Sequence, residues 1–288
     1  MQNKKEKKVG KFHKNNKLND LTGSEWIQFT KSWFIVNPKQ RKDKEFNHPA
    51  KFPEELAERF IKFFTKEGQI VLDPFAGISS TILACESVKR KGVGIEYSKK
   101  YVDIGKKRLK NLQAEKKHII LQGDSQYLLD IWNGLKNELP KQVDFIITSP
   151  PYWNMLDESR GNVLSAHQKR KLNGLDVKYS NSKNDLGNIS DYNEFLKALK
   201  NIFNQSYSIL KSGGYMVVVL QNLRMRNGKF CTLAWDLVNQ LEKDKWHFIG
   251  EQLWLQNNKQ LGIWGYPSAF VSNIHHHYCL VFYKNNVK

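Results

Sequence analysis

From residue 53 onward, apolar positions alternate between a period near 3.6 and short continuous runs. Pro53, Glu54 and Glu55 suit the first turn of a helix, and Leu56, Phe60, Ile61 and Phe64 then share one face. Gly68 ends that helix, residues 69–72 read as a buried strand, and 73–80 form a turn rich in small residues. A helix through 84–89, a strand at 92–96, and a helix capped by Ser98 with Tyr101, Gly105, Leu109 and Leu112 on one face follow. Strands are predicted at 119–121 and 143–148. Beyond Asp191, Tyr192, Phe195, Leu196, Leu199, Ile202 and Phe203 mark a long helix stopped by Gly213 and Gly214. A strand at 215–220, a helix at 233–241 and closing strands at 247–255 and 278–283 complete seven strands. Strands alternating with helices predict a mostly parallel α/β sheet covered on both faces, with ligands beyond the carboxyl ends of the strands.

Two regions break the rhythm. Residues 1–20 form a Lys/Asn-rich stretch with little to bury, expected to be mobile and to serve either as a phosphate-binding arm or as a solvated tail. Residues 26–36 carry Trp26, Ile27, Phe29, Trp33 and Phe34, too apolar for a free tail, and should pack on the main domain. Residues 1–47 are therefore read as a basic arm with an apolar docking segment, and 48–288 as the main domain. Within it, 154–190 is a polar insertion without sustained period, and such long loops are commonly functional or disordered.

The formal net charge of +18 points to a polyanionic partner, since binding phosphates releases condensed counterions. A Lys- and Asn-rich composition is the competing explanation. Cys85, Cys231 and Cys279 are odd in number and widely spaced, which argues against a disulfide framework or structural zinc and fits a reducing cytoplasm. No apolar run is long enough for a membrane span, and no apolar core follows the basic start as in a secretion signal. His275, His276 and His277 are adjacent in a strand pattern, so they alternate faces, and no metal site is expected.

The chemistry concentrates at strand ends. At 71–81 a buried strand runs through Gly77 into Ser79, Ser80 and Thr81, where a glycine admits a ligand near the backbone and a helix start favours an anion. Glu96, ending the next strand, suits the two hydroxyls of a ribose, and Asp124, ending the third, suits an adenine amino group. Thr148, Ser149, Pro150, Pro151, Tyr152 and Trp153 follow the fourth. Two prolines remove two N–H donors and leave carbonyls as acceptors beside the Ser149 hydroxyl and the flat Tyr152 ring. A planar base stacked on Tyr152 would donate its amino hydrogens to Ser149 Oγ and the Pro150 carbonyl, freeing the nitrogen lone pair for methyl transfer.

Taken together, these segments resemble the amino-methylating DNA methyltransferases of bacteria and archaea. Asp73-Pro74-Phe75-Ala76-Gly77 resembles their cofactor motif, with Ser79 in place of its second glycine, and Ser149-Pro150-Pro151-Tyr152 resembles their catalytic motif. His48-Pro49-Ala50-Lys51-Phe52-Pro53 resembles the segment lining the methionine end of the cofactor. Asp185-Leu186-Gly187, Lys211-Ser212-Gly213-Gly214, Leu253-Trp254 and the 277–284 stretch continue the likeness, which covers roughly residues 45–284. The resemblance implies a Rossmann-like class I S-adenosylmethionine-dependent methyltransferase. It implies catalysis at Ser149, Pro150, Pro151 and Tyr152. The implied cofactor site comprises Asp73, Phe75, Ala76, Gly77, Ser79, Thr81, Glu96, Tyr97, Asp124 and Ser125, with His48, Lys51, Phe52 and Pro53.

The Ser form of the catalytic motif is typical of N4-cytosine enzymes and the Asp form of N6-adenine enzymes. Cytosine N4 is the expected target, with adenine N6, an RNA amino group or a catalytically silent scaffold as alternatives. The 154–190 insertion is expected to take part in DNA recognition, and Trp153, Arg160, Lys169, Arg170, Lys171, Arg224 and Arg226 are expected at the double-stranded DNA. A restriction–modification or epigenetic role, with or without a cognate endonuclease, and a cytoplasmic, nucleoid-associated location complete the expectation.

Overall fold

A computed structural model of the chain describes residues 10–37, 52–153, 186–225 and 228–285. The strands are β1 (Trp33–Ile35), β2 (Ile70–Asp73), β3 (Lys91–Glu96), β4 (Ile119–Gln122), β5 (Val143–Thr148), β6 (Leu210–Leu220), β7 (Leu223–Arg224), β8 (Phe230–Cys231), β9 (His247–Leu255) and β10 (His276–Tyr283). Helices α1 (Gly23–Phe29), α2 (Glu54–Phe64), α3 (Ser80–Ser87), α4 (Lys99–Asn111), α5 (Leu128–Gly134), α6 (Tyr192–Ile209) and α7 (Leu233–Glu242) connect them.

Eight strands form one sheet in the order β1-β9-β10-β6-β5-β2-β3-β4, and β7 and β8 form a separate hairpin. The β6–β5–β2–β3–β4 pairings are parallel, while β10 runs antiparallel to both β6 and β9. The sequence predicts seven strands; the eighth is β1, which pairs parallel with β9 through Trp33–Leu253, Phe34–Trp254 and Ile35–Leu255. Its three residues are too few for a periodic signal, and only pairing with β9 makes them a strand.

Period-2 alternation sends neighbouring side chains to opposite faces. Val71, Phe145, Ile147, Val217, Val219, Cys279 and Val281 meet Leu56, Phe60, Ile61 and Phe64 of α2, with Ala84 and Cys85 of α3. Leu72, Ile146, Val218, Leu220, Leu280 and Phe282 meet α5, α6 and α7. Each fully buried aliphatic or aromatic side chain contributes about 1.5–3 kcal/mol. All three cysteines are buried and free.

Residues 26–36 pack on the first of these faces. Phe29 stacks on Phe63 with centroids 3.7 Å apart, Arg59 lies over Phe29 and Phe34 at 4.4 and 4.5 Å, and Trp254 Nε1 donates to the Val36 carbonyl at 2.7 Å. Residues 16–20, expected in a mobile arm, are pinned: Asn19 Nδ2 donates to the Phe63 carbonyl at 2.6 Å and Lys66 Nζ to the Asn16 carbonyl at 2.8 Å. Composition does not reveal such long-range polar contacts. Residues 1–9 lie outside the described residues.

One predicted boundary moves. Residues 210–214 belong to β6, because Gly213 N donates to the Lys284 carbonyl and Lys284 N to the Gly214 carbonyl, extending the ladder with β10. Gly213 has φ +71, the left-handed region a glycine tolerates, so it bends the strand start without ending it.

Candidate active site

Parallel strands β5, β2, β3 and β4 end side by side, and a buried carboxylate joins the first two ends. Asp73 Oδ1 accepts from Thr148 Oγ1 at 2.6 Å and from Phe75 N at 3.0 Å, while Oδ2 accepts from Thr81 Oγ1 at 2.5 Å. Burial pushes its pKa up and the three donors pull it back. Asp73 thereby fastens the glycine turn and the start of α3 to the last residue of β5. Asp73 and Thr81 act here inside the protein, as positioning groups.

The turn rests on β3. Ala76 N donates to the Ile95 carbonyl at 2.9 Å, and a Cβ at Gly94 would lie 2.9 Å from Ala76 Cβ, so the close approach requires glycine there. Gly77 has φ +52. Ser79 follows in the left-handed region with φ 66, fully buried, at the N-cap of α3, but its side chain makes no capping bond. Its Oγ has no hydrogen-bond partner and packs toward α4, where a Cβ on Gly105 would lie 2.2 Å from it. The hydroxyl thus fills the α3–α4 contact. Arg108 of α4 donates to the Ile78 carbonyl at 2.7 Å and pairs with Glu54 at the start of α2, holding the turn from behind. Phe75 is half-buried and edge-on to Phe203 of α6.

Glu96 is half-buried beside the turn, accepting from Gly77 N at 2.8 Å through Oε2 and from Ser98 N at 2.7 Å through Oε1. Ser98 occupies the N-cap of α4 but offers its N–H, and its side chain makes no capping bond. Tyr97 is half-buried between them. Asp124 caps a short 3-10 turn, accepting from Gln126 N at 2.9 Å, and the buried Ser125 hydroxyl donates to the Pro74 carbonyl.

Beyond Thr148, Ser149 is half-buried, Pro150 buried and Pro151 half-buried. Ser149 Oγ lies 3.1 Å from Tyr152 Oη, which also donates to the Val219 carbonyl at 3.4 Å. Tyr152 is only 8% exposed and sits in the core cluster, 6.1 Å from His277. Its ring is therefore largely occupied by protein, unlike the open stacking face expected from sequence, because its hydroxyl is drawn inward to Ser149 and Val219. Trp153 is the more open ring. It adopts φ 44, donates from Nε1 to the Ile189 carbonyl at 3.0 Å and lies 4.9 Å from Tyr192, whose hydroxyl donates to Asp236 at 2.6 Å.

A family model described as DNA methylase, N6_N4_Mtase, matches residues 1–107 and 143–288. The chain belongs to this DNA methylase family. M.BamHII of Bacillus amyloliquefaciens, an orphan methyltransferase, is 40% identical over 104 residues, 35% of this chain and 37% of that protein. M.BglI of Bacillus subtilis, a Type II methyltransferase, is 37% identical over 93 residues, 32% of this chain and 26% of that protein. The DNA adenine methyltransferase YhdJ of Escherichia coli (strain K12) is 38% identical over 77 residues, 27% of this chain and 26% of that protein. The chain thus aligns with about a third or less of these relatives' lengths. Among solved structures, TrmN from Thermus thermophilus superposes with TM-score 0.49 and 14% identity, covering 81% of this chain and 49% of that one.

The family's methyl donor is S-adenosylmethionine, and the residues of this chain fit it. Three adjacent strand ends offer a left-handed Gly77, a half-buried carboxylate at Glu96 and a second at Asp124. An ionised carboxylate accepts several hydrogen bonds at once, so the two N–H contacts of Glu96 are compatible with a sugar hydroxyl. Phe52 is half-buried against the α2 face and Pro53 is buried at the N-cap of α2. His48 and Lys51 lie outside the described residues, as do Arg160, Lys169, Arg170, Lys171 and Arg226. Arg224 is half-buried: its guanidinium lies 5.3 Å over Phe230 and donates to Ser272 Oγ at 3.2 Å.

Several site residues went unnoticed in the sequence. Arg108, Ile189, Tyr192 and Val219 act through contacts between distant elements. His277 opens the 277–284 stretch that continues the family likeness, but its place beside Tyr152 depends on the sheet pairing. In the structure it stacks on Trp254 at 4.5 Å beside Tyr152, and its buried Nδ1 has no hydrogen-bond partner. Among the described residues no His, Cys, Asp or Glu side chains group as a metal site, and no helix is long and apolar enough to cross a membrane.

Proposed function

We propose that this chain methylates the exocyclic amino nitrogen of a DNA base flipped from the duplex, with cytosine N4 the favoured target. The observation that carries the reading is the Asp73 carboxylate, which bonds both the glycine turn and Thr148, so Ser149 stands one residue beyond the shared anchor. S-adenosylmethionine supplies an electrophilic methyl group on a sulfonium. Gly77, Glu96 and Asp124 bind and orient its nucleoside part. The Ser149 hydroxyl and the Pro150 carbonyl accept the amino hydrogens, which turns the nitrogen lone pair out of conjugation. Tyr152 Oη holds Ser149 Oγ in place, and Trp153 walls the pocket. Transfer of the sulfonium methyl to the nitrogen would leave a neutral thioether and make the nitrogen acidic, and its proton would leave through Ser149 or water. Alignment supplies most of the acceleration, and no covalent enzyme–base adduct is involved.

The net charge of +18 supports duplex DNA as the substrate. The likeness to YhdJ, a DNA adenine methyltransferase, supports adenine, through its N6 amino group, as the second reading. A cognate endonuclease is optional, since M.BamHII is named an orphan and M.BglI a Type II enzyme. Work on chromosomal DNA implies a cytoplasmic, nucleoid-associated protein.

Expression in a methylation-free host, followed by nucleoside mass spectrometry and single-molecule sequencing, tests the proposal. N4-methylcytosine at one recognition sequence is expected. N6-methyladenine would replace the base, and methylated tRNA or rRNA with unmodified DNA would replace the polymer.

A further inference from the structure

The β9–β10 connection, residues 256–275, leaves the sheet at the same end as the 149–152 turn, because β9 runs parallel to β5 and β2. Its return point is close to that turn: Gln256 N donates to the His275 carbonyl at 2.8 Å, and two residues on, His277 lies 6.1 Å from Tyr152. The loop is internally braced. Asn273 Oδ1 accepts from Gly262 N at 2.9 Å and Trp264 Nε1 at 3.0 Å, while its Nδ2 donates to the Gly262 carbonyl at 3.0 Å. Ser268 N and Ala269 N both donate to the Gly265 carbonyl, and Arg224 ties the β7–β8 hairpin to Ser272.

On this braced frame the apolar side chains point outward. Ile263 is 87%, Tyr266 82% and Phe270 91% exposed, and Leu261 is exposed as well. A hydrogen-bonded loop that leaves several large apolar groups in water is the signature of a contact surface. Beside the Ser149–Tyr152 turn, where the proposed function places the target base, and on a chain of net charge +18, the fitting occupant is duplex DNA. Taking a base out of the stack leaves a gap, and apolar side chains inserted at a base step stabilise the opened duplex.

We infer that the 256–275 loop enters the duplex beside the target, with Ile263 and Phe270 as wedges that occupy the space left by the flipped base. This rests on the methyl-transfer reading above. Because both side chains are almost wholly exposed, replacing them leaves the fold intact.

The test compares wild type with the Ile263→Ser/Phe270→Ser double variant. Each is assayed on an oligonucleotide duplex carrying the host-determined site, and on the same duplex with the target opposite an abasic position, which is already unstacked. Calorimetric cofactor binding and melting temperature are measured alongside. Expected are unchanged cofactor affinity and melting, a loss of about 10- to 100-fold in kcat/KM on the intact duplex, and recovery to within a few-fold of wild type on the abasic duplex. Equal activity of variant and wild type on the intact duplex, or an equal loss on both substrates, overturns the inference. A wild-type protein that methylates neither DNA instead refutes the methyl-transfer reading, so the two failures are distinguishable.

Discussion

Thr148 Oγ1 donates to Asp73 Oδ1 at 2.6 Å across adjacent parallel strands, inside the protein and away from solvent. That bond sets the distance between the glycine turn and the serine that follows Thr148. Thr148→Val keeps the shape and removes the donor, leaving a buried carboxylate short of one partner. A loss of about 1–3 kcal/mol is expected, read as a lower urea midpoint. Cofactor affinity should fall with it, by calorimetry. Unchanged affinity would detach the anchor from the cofactor turn.

Ser149 and Tyr152 separate by chemistry. Ser149→Ala should leave cofactor binding near the wild-type value and reduce kcat by about 10²-fold or more. Tyr152→Phe retains the buried ring and deletes only the hydroxyl between Ser149 Oγ and the Val219 carbonyl. Its kcat should drop by about 10-fold, the worth of one hydrogen bond. Full activity in Ser149→Ala would remove that residue from the mechanism.

Ser79 and Gly105 form a steric pair. A methyl on Gly105 would meet Ser79 Oγ at 2.2 Å, so Gly105→Ala alone should lower the melting temperature markedly. Ser79→Gly removes a left-handed non-glycine residue and a buried unpartnered hydroxyl, and should be neutral or stabilising by up to about 1 kcal/mol. In the double variant much of the clash is gone. Thermal melts of all four proteins should show strong coupling, and strict additivity would argue against the contact.

His277 should contribute to acid sensitivity. Burial, with Lys259 and His276 nearby, lowers its pKa from 6.5 to about 3. Between those values the unfolded chain binds the proton and the folded one does not. Its contribution is therefore whole above pH 6.5 and is lost as pH falls toward 3, at a slope of up to about 1.4 kcal/mol per pH unit. His277→Phe preserves a ring against Trp254 and removes the titration. Urea unfolding from pH 7 to pH 4 should show a shallower decline in the variant, and an identical slope would assign the sensitivity elsewhere.

Where a segment carries its own periodicity, the chain alone was enough. Helices α2, α4, α6 and α7 and strands β2 to β5 follow from local pattern, because each buries one face whatever its neighbours are. The strand β1 was not legible, since Trp33 and Ile35 are exposed and only Phe34 is buried. The hairpin β7–β8 and helix α5 are likewise too short to carry a period. The turns at 73–81 and 149–153 stood out because prolines and glycines at strand ends have few structural uses besides shaping a site.

What sequence left open was the inward or outward direction of the site's side chains. It set the order of strand ends, the residue types at each, and the membership that follows from them, since these depend on neighbours along the chain. Only the packed structure determined that Asp73 and Thr81 face inward, that Ser79 fills the space over Gly105, that Tyr152 is drawn into the core and that His277 stands beside it. Those outcomes depend on contacts between residues far apart in the chain, which close only when the sheet brings its strand ends together.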